Sequence, residues 1–489
     1  MRRATLPLLL SIALFLCLAA CSSQNGGPAA NGVTVYEGAR LITGDGAAPI
    51  ENSAFVVDNG KFTLAGKKGE VLAPAGAARV DLTGKTVMPA MVDLHGHIGY
   101  QNIPEGTMSK AMFTRENLVD HLERLAYHGI GAVVDVASLV DRSDMKGGRT
   151  GWGDVPLRVR DEVIPNAALF KTAGTGMAVP NGGPTGHPSR ADVPYPVATE
   201  AEARAAVDDY VKMKPEFIKI WVDDRAGKKP KLTPPLYRAI ADEAHKFNVP
   251  VAAHNVTLAD AKALLRAGDE GWLHVPVRGG DEVDDEIVGI VKDRIARNDR
   301  PVMWMTPALG EPFMSLGGGQ RPAWLDDPLL ADTYSKEDIQ RFWGDPLKKM
   351  KSEEIARAKK IFEGLARNGM KLRAAGIRVV MGTDTGQSRF FIGYTTHMDL
   401  EGLVAMGMTP SEVIVAATKD AAEIGHFNTG LVAAGRQADF IVLDANPLDS
   451  ISNTRKIDKV FLRGQEVPRA AMRAKWQAQF KHGTSAEAR

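Results

Sequence analysis

Cysteine is almost missing from this chain. There are two in 489 residues, Cys17 and Cys21, and both fall in the first two dozen positions. The body therefore holds no disulfide and no thiolate metal cluster, and it offers no catalytic thiol. A surplus of one charge is missing as well: 60 Lys and Arg face 59 Asp and Glu. That balance gives neither the basic footprint of a nucleic-acid binder nor a polybasic membrane surface. Beyond the N-terminal segment no apolar run is long enough to cross a bilayer. What the chain does carry is length, enough for one large domain with a smaller companion.

The N-terminal segment has Arg2 and Arg3, a mostly apolar run from Leu8 to Leu18, a small-residue exit Leu18-Ala19-Ala20-Cys21, and a polar stretch from Ser22 to Asn25. This is the pattern of a secretory signal, not of a spanning helix. The exit resembles a bacterial lipobox, which implies cleavage before Cys21 and lipid on its sulfur; ordinary cleavage at the same small residues is the alternative. The expectation is a signal peptide over 1–20, a lipidated tether over 21–32, and a protein exported to the bacterial cell envelope and held to the membrane by its lipid alone. The Arg2-Arg3 pair is a weak hint of twin-arginine export.

From Val33 to Val80, short alternating stretches such as Phe55-Val56-Val57 are punctuated by Gly44, Gly46, Gly60, Gly66 and Gly69, which predicts short strands and turns. The same texture returns after Gly430. The two β-rich ends, 33–88 and 428–468, suggest one small β-sandwich built from both termini. Between them, over 89–427, apolar strand-like runs alternate with helical patterns, as parallel βα units do. The clearest strands are Val87 to Leu94, Ala132 to Val136, Phe217 to Val222, Val249 to Ala253, Gly271 to His274, Val302 to Thr306 and Val379 to Met381, with an eighth near Ala167 to Lys171. An α/β fold closed as a (β/α)8 TIM barrel follows, with its chemistry at the C-terminal ends of the strands. The long connection from Ala308 to Lys351 reads as a lid or an oligomer contact, and 469–489 as a polar, fraying helix.

Four histidines, a lysine and an aspartate stand at these strand ends. In Asp93-Leu94-His95-Gly96-His97 the two histidines are two apart, so on a strand both can face one ion. Lys219 interrupts the apolar strand Phe217-Ile218-Lys219-Ile220. Either it lies at a solvated edge, or it is buried with a lowered pKa, as a neutral amine able to take up carbon dioxide as a carbamate. His254 and His274 end two successive strand patterns, and each taken singly could be structural. Asp384 follows Gly382 and Thr383 at the end of the last strand, where it is a ligand or the cap of the next helix. Weaker candidates for substrate contact are His187 in a Gly-rich loop, Arg225 after the lysine strand, Tyr100, and His397. His121, His128 and His245 read as ordinary helix residues, and Trp304 and Trp324 as packing.

With these residues in this order, the chain resembles the amidohydrolase superfamily, in its imidazolonepropionase-like and Xaa-Pro dipeptidase-like branch. The resemblance runs from about Val33 to Val467. It is carried by Gly84 to Pro89 leading into His95-Gly96-His97, by Phe217 to Ile220, by His254 and His274, by Gly382-Thr383-Asp384, and by Ala416 to Ala422 followed by Gly435 to Phe440. Ala90 stands where a glycine is usual, and the 308–351 stretch is longer than expected. The resemblance implies two divalent metal ions, with zinc as the default. His95, His97 and Asp384 would hold the first, His254 and His274 the second, and a carboxylated Lys219 would bridge them. Asp384 would take a proton from a hydroxide shared by the metals and pass it to the leaving nitrogen.

The implied reaction is hydrolysis of an amide-type carbon–nitrogen bond in a dipeptide, an N-acyl amino acid or a cyclic amide. The expected partner is a small molecule or short peptide, and a homo-oligomer fits. Two alternatives stay open: an esterase, lactonase or phosphoesterase built on the same centre, and a non-catalytic surface binding protein.

Overall fold

In the computed structural model, the described residues are 32–138, 154–184, 193–278, 280–297, 303–386 and 389–486. The expected signal segment, Cys21 and His187 lie outside them. None of the helices described is long and apolar enough to cross a membrane.

The middle of the chain forms two parallel sheets. In the first, Met91–Gly96 and Leu169–Thr172 flank Ile130–Asp135. The second runs in the order Tyr195–Pro196, Met177–Ala178, Ile218–Val222, Val251–Asn255, Gly271–Leu273, Trp304–Thr306, Arg378–Val379. The strands Met91–Gly96, Ile130–Asp135, Ile218–Val222 and Val251–Asn255 are buried along their whole length. That is why they read as continuous apolar runs rather than as alternating ones. Two sets of hydrogen bonds link the sheets. Glu216 N–H donates to the Thr172 carbonyl (3.4 Å). In the other set, Leu94 N–H donates to Met381, His97 N–H to Thr385, and Asp384 N–H to His95.

Helices separate several of the strands. Arg115–Tyr127 is capped by Thr114, and Leu258–Ala267 by Thr257, each hydroxyl accepting from a backbone N–H three residues on. The longest, Ser352–Ala375, stops at Gly376, whose φ of 115° suits a residue without Cβ.

The run from Val87 to Leu94, expected as one strand, is two. Thr86–Pro89 pairs antiparallel with Phe440–Leu443, whereas Met91–Gly96 enters the first parallel sheet. The break falls at Ala90, whose N–H donates to the Asp439 carbonyl. Residues on both sides of it are buried, so hydropathy carries no mark of the switch.

Thr86–Pro89 joins Arg40–Leu41, Phe440–Leu443, Ile457–Leu462 and Gln465–Glu466 in one five-stranded sheet, so segments from both ends of the chain share it. A four-stranded sheet of Lys61–Lys67, Ser53–Asp58, Thr34–Glu37 and Ala78–Asp81 packs against it. Tyr36, Phe55, Phe62, Phe440 and Phe461 interlock between the two; Phe440 and Phe461 stack at 4.5 Å, and Tyr36 and Phe55 at 5.0 Å. Each such pair contributes about 0.5–1.5 kcal/mol beyond its area.

Two outer segments are better anchored than their composition suggests. The 308–351 stretch is a chain of short helices whose Trp343, Leu330 and Leu347 lie in the main core; Arg124 donates to the Thr333 carbonyl, and Tyr127 Oη to Asp332. The C-terminal helix Arg469–Ala486 is docked rather than fraying at its start. Trp476 is fully buried, its Nε1 donating to Asp120 Oδ1 (2.8 Å) and its ring lying under the Arg124 guanidinium.

Candidate active site

His95 and His97 sit at the end of Met91–Gly96, where the register against Ile130–Asp135 slips: Asp93 faces Val133, but Gly96 faces Asp135. One extra residue on the histidine strand makes a bulge, a device that re-aims side chains beside functional sites. The rings of His95 and His97 lie 5.3 Å apart, His95 is 4.9 Å from His274, and His274 is 4.8 Å from His254. Asp384 closes the group, with Oδ1 3.1 Å from His97 Nε2 and 3.4 Å from His95 Nε2. Ligand atoms of His95, His274 and Asp384 all fall within 4.8 Å of one another. Asp384 does not cap a helix; the next one begins at Tyr394.

Lys219 belongs to an interior strand between Met177–Ala178 and Val251–Asn255 and is 1% exposed, which removes the edge-strand alternative. Its Nζ lies 5.0 Å from the centre of the Trp221 ring. Against the neighbouring strand Val251–Asn255, Trp221 pairs with His254, and Lys219 pairs with Ala252 two residues earlier.

Burial, ahead of any neighbouring charge, holds the imidazoles of His95 and His274 well below the ordinary histidine range and His254 at about 4. These rings are neutral at pH 7, the form that binds metal. Their hydrogen bonds leave acceptor atoms facing one another. His95 Nδ1 contacts Thr306 Oγ1 (3.2 Å), while His95 Nε2 and His274 Nδ1 are buried with no hydrogen-bond partner. Orphaned buried nitrogens are rare. Here they converge with a carboxylate, and a divalent ion is the group that such a nitrogen and oxygen set fits.

The backbone at two of these residues is strained. Asp384 has φ 60° and His274 φ 126°, conformations that cost about 1–3 kcal/mol each and that cluster at functional sites. Three backbone-bound acids hold the frame. Asp93, fully buried, accepts from the N–H groups of His95 and Thr383 and from Thr383 Oγ1 (2.6 Å), tying the histidine strand to the Asp384 turn. Asp135 accepts from Ile98 N–H and Ala137 N–H. Asp223 Oδ2 lies 3.1 Å from His254 Nε2 and 2.9 Å from Arg225 Nη1.

The weaker candidates divide. Arg225 is at the site but engaged with Asp223. Tyr100 is fully buried, its hydroxyl donating to the Ala137 carbonyl (2.5 Å) while its ring packs in the cluster that includes Trp221, so it is a wall behind the site rather than a substrate contact. His397 is corrected outright. It is fully buried, with Nδ1 on Thr454 Oγ1 and Nε2 on the His128 carbonyl, a packing residue between the helices Arg115–Tyr127 and Tyr394–Met406. Trp304 packs on Phe217, and Trp324 on Trp343. The sequence reading missed Asp93 and Asp223. For Asp223 a signal existed: it stands four residues after Lys219, at the mouth end of the same strand.

Residues 350–467 match the family model described as "Amidohydrolase family". No curated protein matches the chain by sequence. Among solved structures, a Bifidobacterium longum protein assigned as a prolidase is 24% identical, with a TM-score of 0.65 over 92% of this chain and 99% of its own. A Xaa-Pro dipeptidase solved with methionine in its active site is 19% identical, with a TM-score of 0.64 over 89% and 99%. Phenylurea hydrolase B is 22% identical, with a TM-score of 0.65 over 90% and 97%. The amidohydrolase match is thus confined to residues 350–467, and the chain as a whole shares its fold with these solved structures.

Proposed function

We propose that this protein is a metal-dependent hydrolase of an amide-type carbon–nitrogen bond, acting on a dipeptide, an N-acyl amino acid or a cyclic amide. The observation that carries the reading is the convergence of His95, His274 and Asp384 around one point, with two histidine nitrogens buried and otherwise unbonded. The similarity to proteins named as a prolidase, a dipeptidase and a phenylurea hydrolase supports the bond type. The parallel strands and the hydrogen bonds that link the two sheets support a closed (β/α)8 barrel over 89–427, and the shared five-stranded sheet supports a terminal β-sandwich over 33–88 and 428–468.

On this reading His95, His97 and Asp384 would hold one ion and His254 and His274 a second, and Lys219 would serve both as a carbamate. Divalent ions, when bound, supply a water acidified toward pH 7 and a polarised carbonyl. The chain's own residues do the rest. Asp384 holds the water's proton at Oδ1 and delivers it to the departing nitrogen. Asp223 accepts a hydrogen bond from His254 Nε2–H, which would leave Nδ1 as the ligand atom. Burial of Lys219 favours the neutral amine that carbamate formation needs. Neither serine nor cysteine is required.

Metal analysis of purified protein beside Lys219→Ala and Asp384→Asn, with peptide, N-acyl amino acid and ester panels, tests the reading. About two ions per chain and amide hydrolysis lost in both variants is the expected result. Ester-only turnover would replace the amide assignment. Metal-free protein without hydrolysis would return it to a binding protein. Export and lipid attachment at Cys21 are proposed on the sequence alone, and the mass of the mature N-terminus checks them.

A further inference from the structure

The 308–351 stretch begins beside the candidate metal ligands, and an acid that is not one of them holds its first residues. Asp399 stands on the helix Tyr394–Met406 and is fully buried. Its Oδ1 accepts from the Leu309 N–H (2.6 Å) and the Gly310 N–H (2.9 Å), and the Gly382 N–H acts on the same carboxyl. A buried carboxyl is costly unless such bonds offset the loss of water. Two glycines let the chain lie this close to the helix. A Cβ on Gly310 would meet the Thr395 carbonyl oxygen at 3.1 Å, and one on Gly402 would meet the Leu309 Cβ at 2.8 Å. Ala308, just before, is held at φ 52°, which costs a residue with a Cβ about 1–2 kcal/mol.

Two residues earlier, the same segment touches the site. Thr306 is fully buried, and its Oγ1 lies 3.2 Å from His95 Nδ1. Gly382 has no room for a side chain: its Cβ would stand 2.6 Å from Thr306 Cγ2 and 2.9 Å from His95 Cβ. Thr306, His95 and the turn leading to Asp384 are therefore packed against one another. His95 Nε2, the nitrogen left without a hydrogen bond, is aimed by whatever fixes that ring.

We propose that Asp399 is a positioning residue for the candidate metal centre: by fixing Leu309 and Gly310 it places Thr306, and Thr306, accepting from His95 Nδ1–H, leaves His95 Nε2 bare and directed at the ion. The 308–351 stretch is then rooted beside the site and does not hinge there. The inference rests on the metal-centre reading above.

Chelator competition with cobalt(II) on the full chain reads metal affinity without turnover, and double-mutant cycles separate positioning from general support. Thr306→Val should weaken binding about 10- to 100-fold, the range for losing the partner of a ligating histidine, and Thr306→Ser should keep the wild-type affinity. Asp399→Asn should weaken it about threefold or more, the low end for residues of one network, and Gly402→Ala, which displaces Leu309 from the same helix, should do likewise. Either change combined with Thr306→Val should bind no more weakly than Thr306→Val alone, because the route to His95 is already cut. Wild-type affinity in Thr306→Val, or in both Asp399→Asn and Gly402→Ala, or losses that multiply in the combined variants, overturns the positioning role and leaves the hydrolase reading standing. The expected cycle in a chain that hydrolyses no amide overturns the hydrolase reading and leaves the positioning role standing. A wild-type chain that takes up no ion overturns both.

Discussion

Replacing Asp223 with Asn should loosen the metal centre without touching a ligand. Asp223 is nearly inaccessible; its Oδ2 accepts from His254 Nε2 and forms an ion pair with Arg225 Nη1, while Oδ1 takes the Arg225 N–H (2.8 Å). Burial alone would push the carboxyl up. The His254 hydrogen bond, the Arg225 N–H and the Arg225 charge outweigh it and bring the group down to about 2. Since the folded value lies below the unfolded value of about 3.9, the stabilisation is on the order of 2 kcal/mol; it is fully present above about pH 4 and lost as pH falls through about 2. An amide in its place is neutral and must turn either its NH2 toward a donor or its oxygen away from one. Loss of such a partner typically weakens metal binding about 10- to 100-fold, or about 1.4–2.7 kcal/mol. Equilibrium dialysis against graded chelator measures this directly, with thermal melting as the control for folding. If Asp223→Asn retains metal as tightly as the wild type, the contact does not set the His254 tautomer and the argument fails.

Other consequences follow from the same geometry. Because burial keeps His254 near 4 and His95 and His274 lower than usual, metal retention should be flat from pH 8 to about pH 5 and fall only as protons compete near pH 4; half-release near pH 6.5, read by metal analysis across buffers, would contradict it. Gly386→Ala should destabilise by about 2–4 kcal/mol in denaturant titration, since the residue has φ 98° and a Cβ would overlap the His97 carbonyl; a cost under about 0.5 kcal/mol would show that this turn yields. Trp476→Ala should cost about 3–5 kcal/mol and raise the protease sensitivity of the C-terminal helix, because a fully buried indole and its bond to Asp120 are lost; a neutral result would mean that the helix is not docked in solution.

The metal-ligand candidates were legible from sequence because each is a local event. A histidine, lysine or aspartate at the end of an apolar run can be read without knowing what lies across the sheet, and the parallel course of those runs puts their ends on one side. Lys219 is the clearest case: an ammonium inside Phe217-Ile218-Lys219-Ile220 had either to be solvated or to have a purpose, and its burial removed the first option.

What the tertiary structure alone decided are contacts between residues far apart in the chain. Tyr100 and His397 have the residue types of pocket groups, yet packing turns one toward Ala137 and the other toward Thr454 and His128. The change of sheet at Ala90 and the bulge before Gly96 left no trace in hydropathy, because every residue there is buried whichever sheet it joins. Asp93 locks the His95 strand to Thr383 across 290 positions. Amino-acid order determined which side chains could bind metal; the folded chain decided which nitrogens were left unbonded to do so, since that depends on what every other buried donor and acceptor has found.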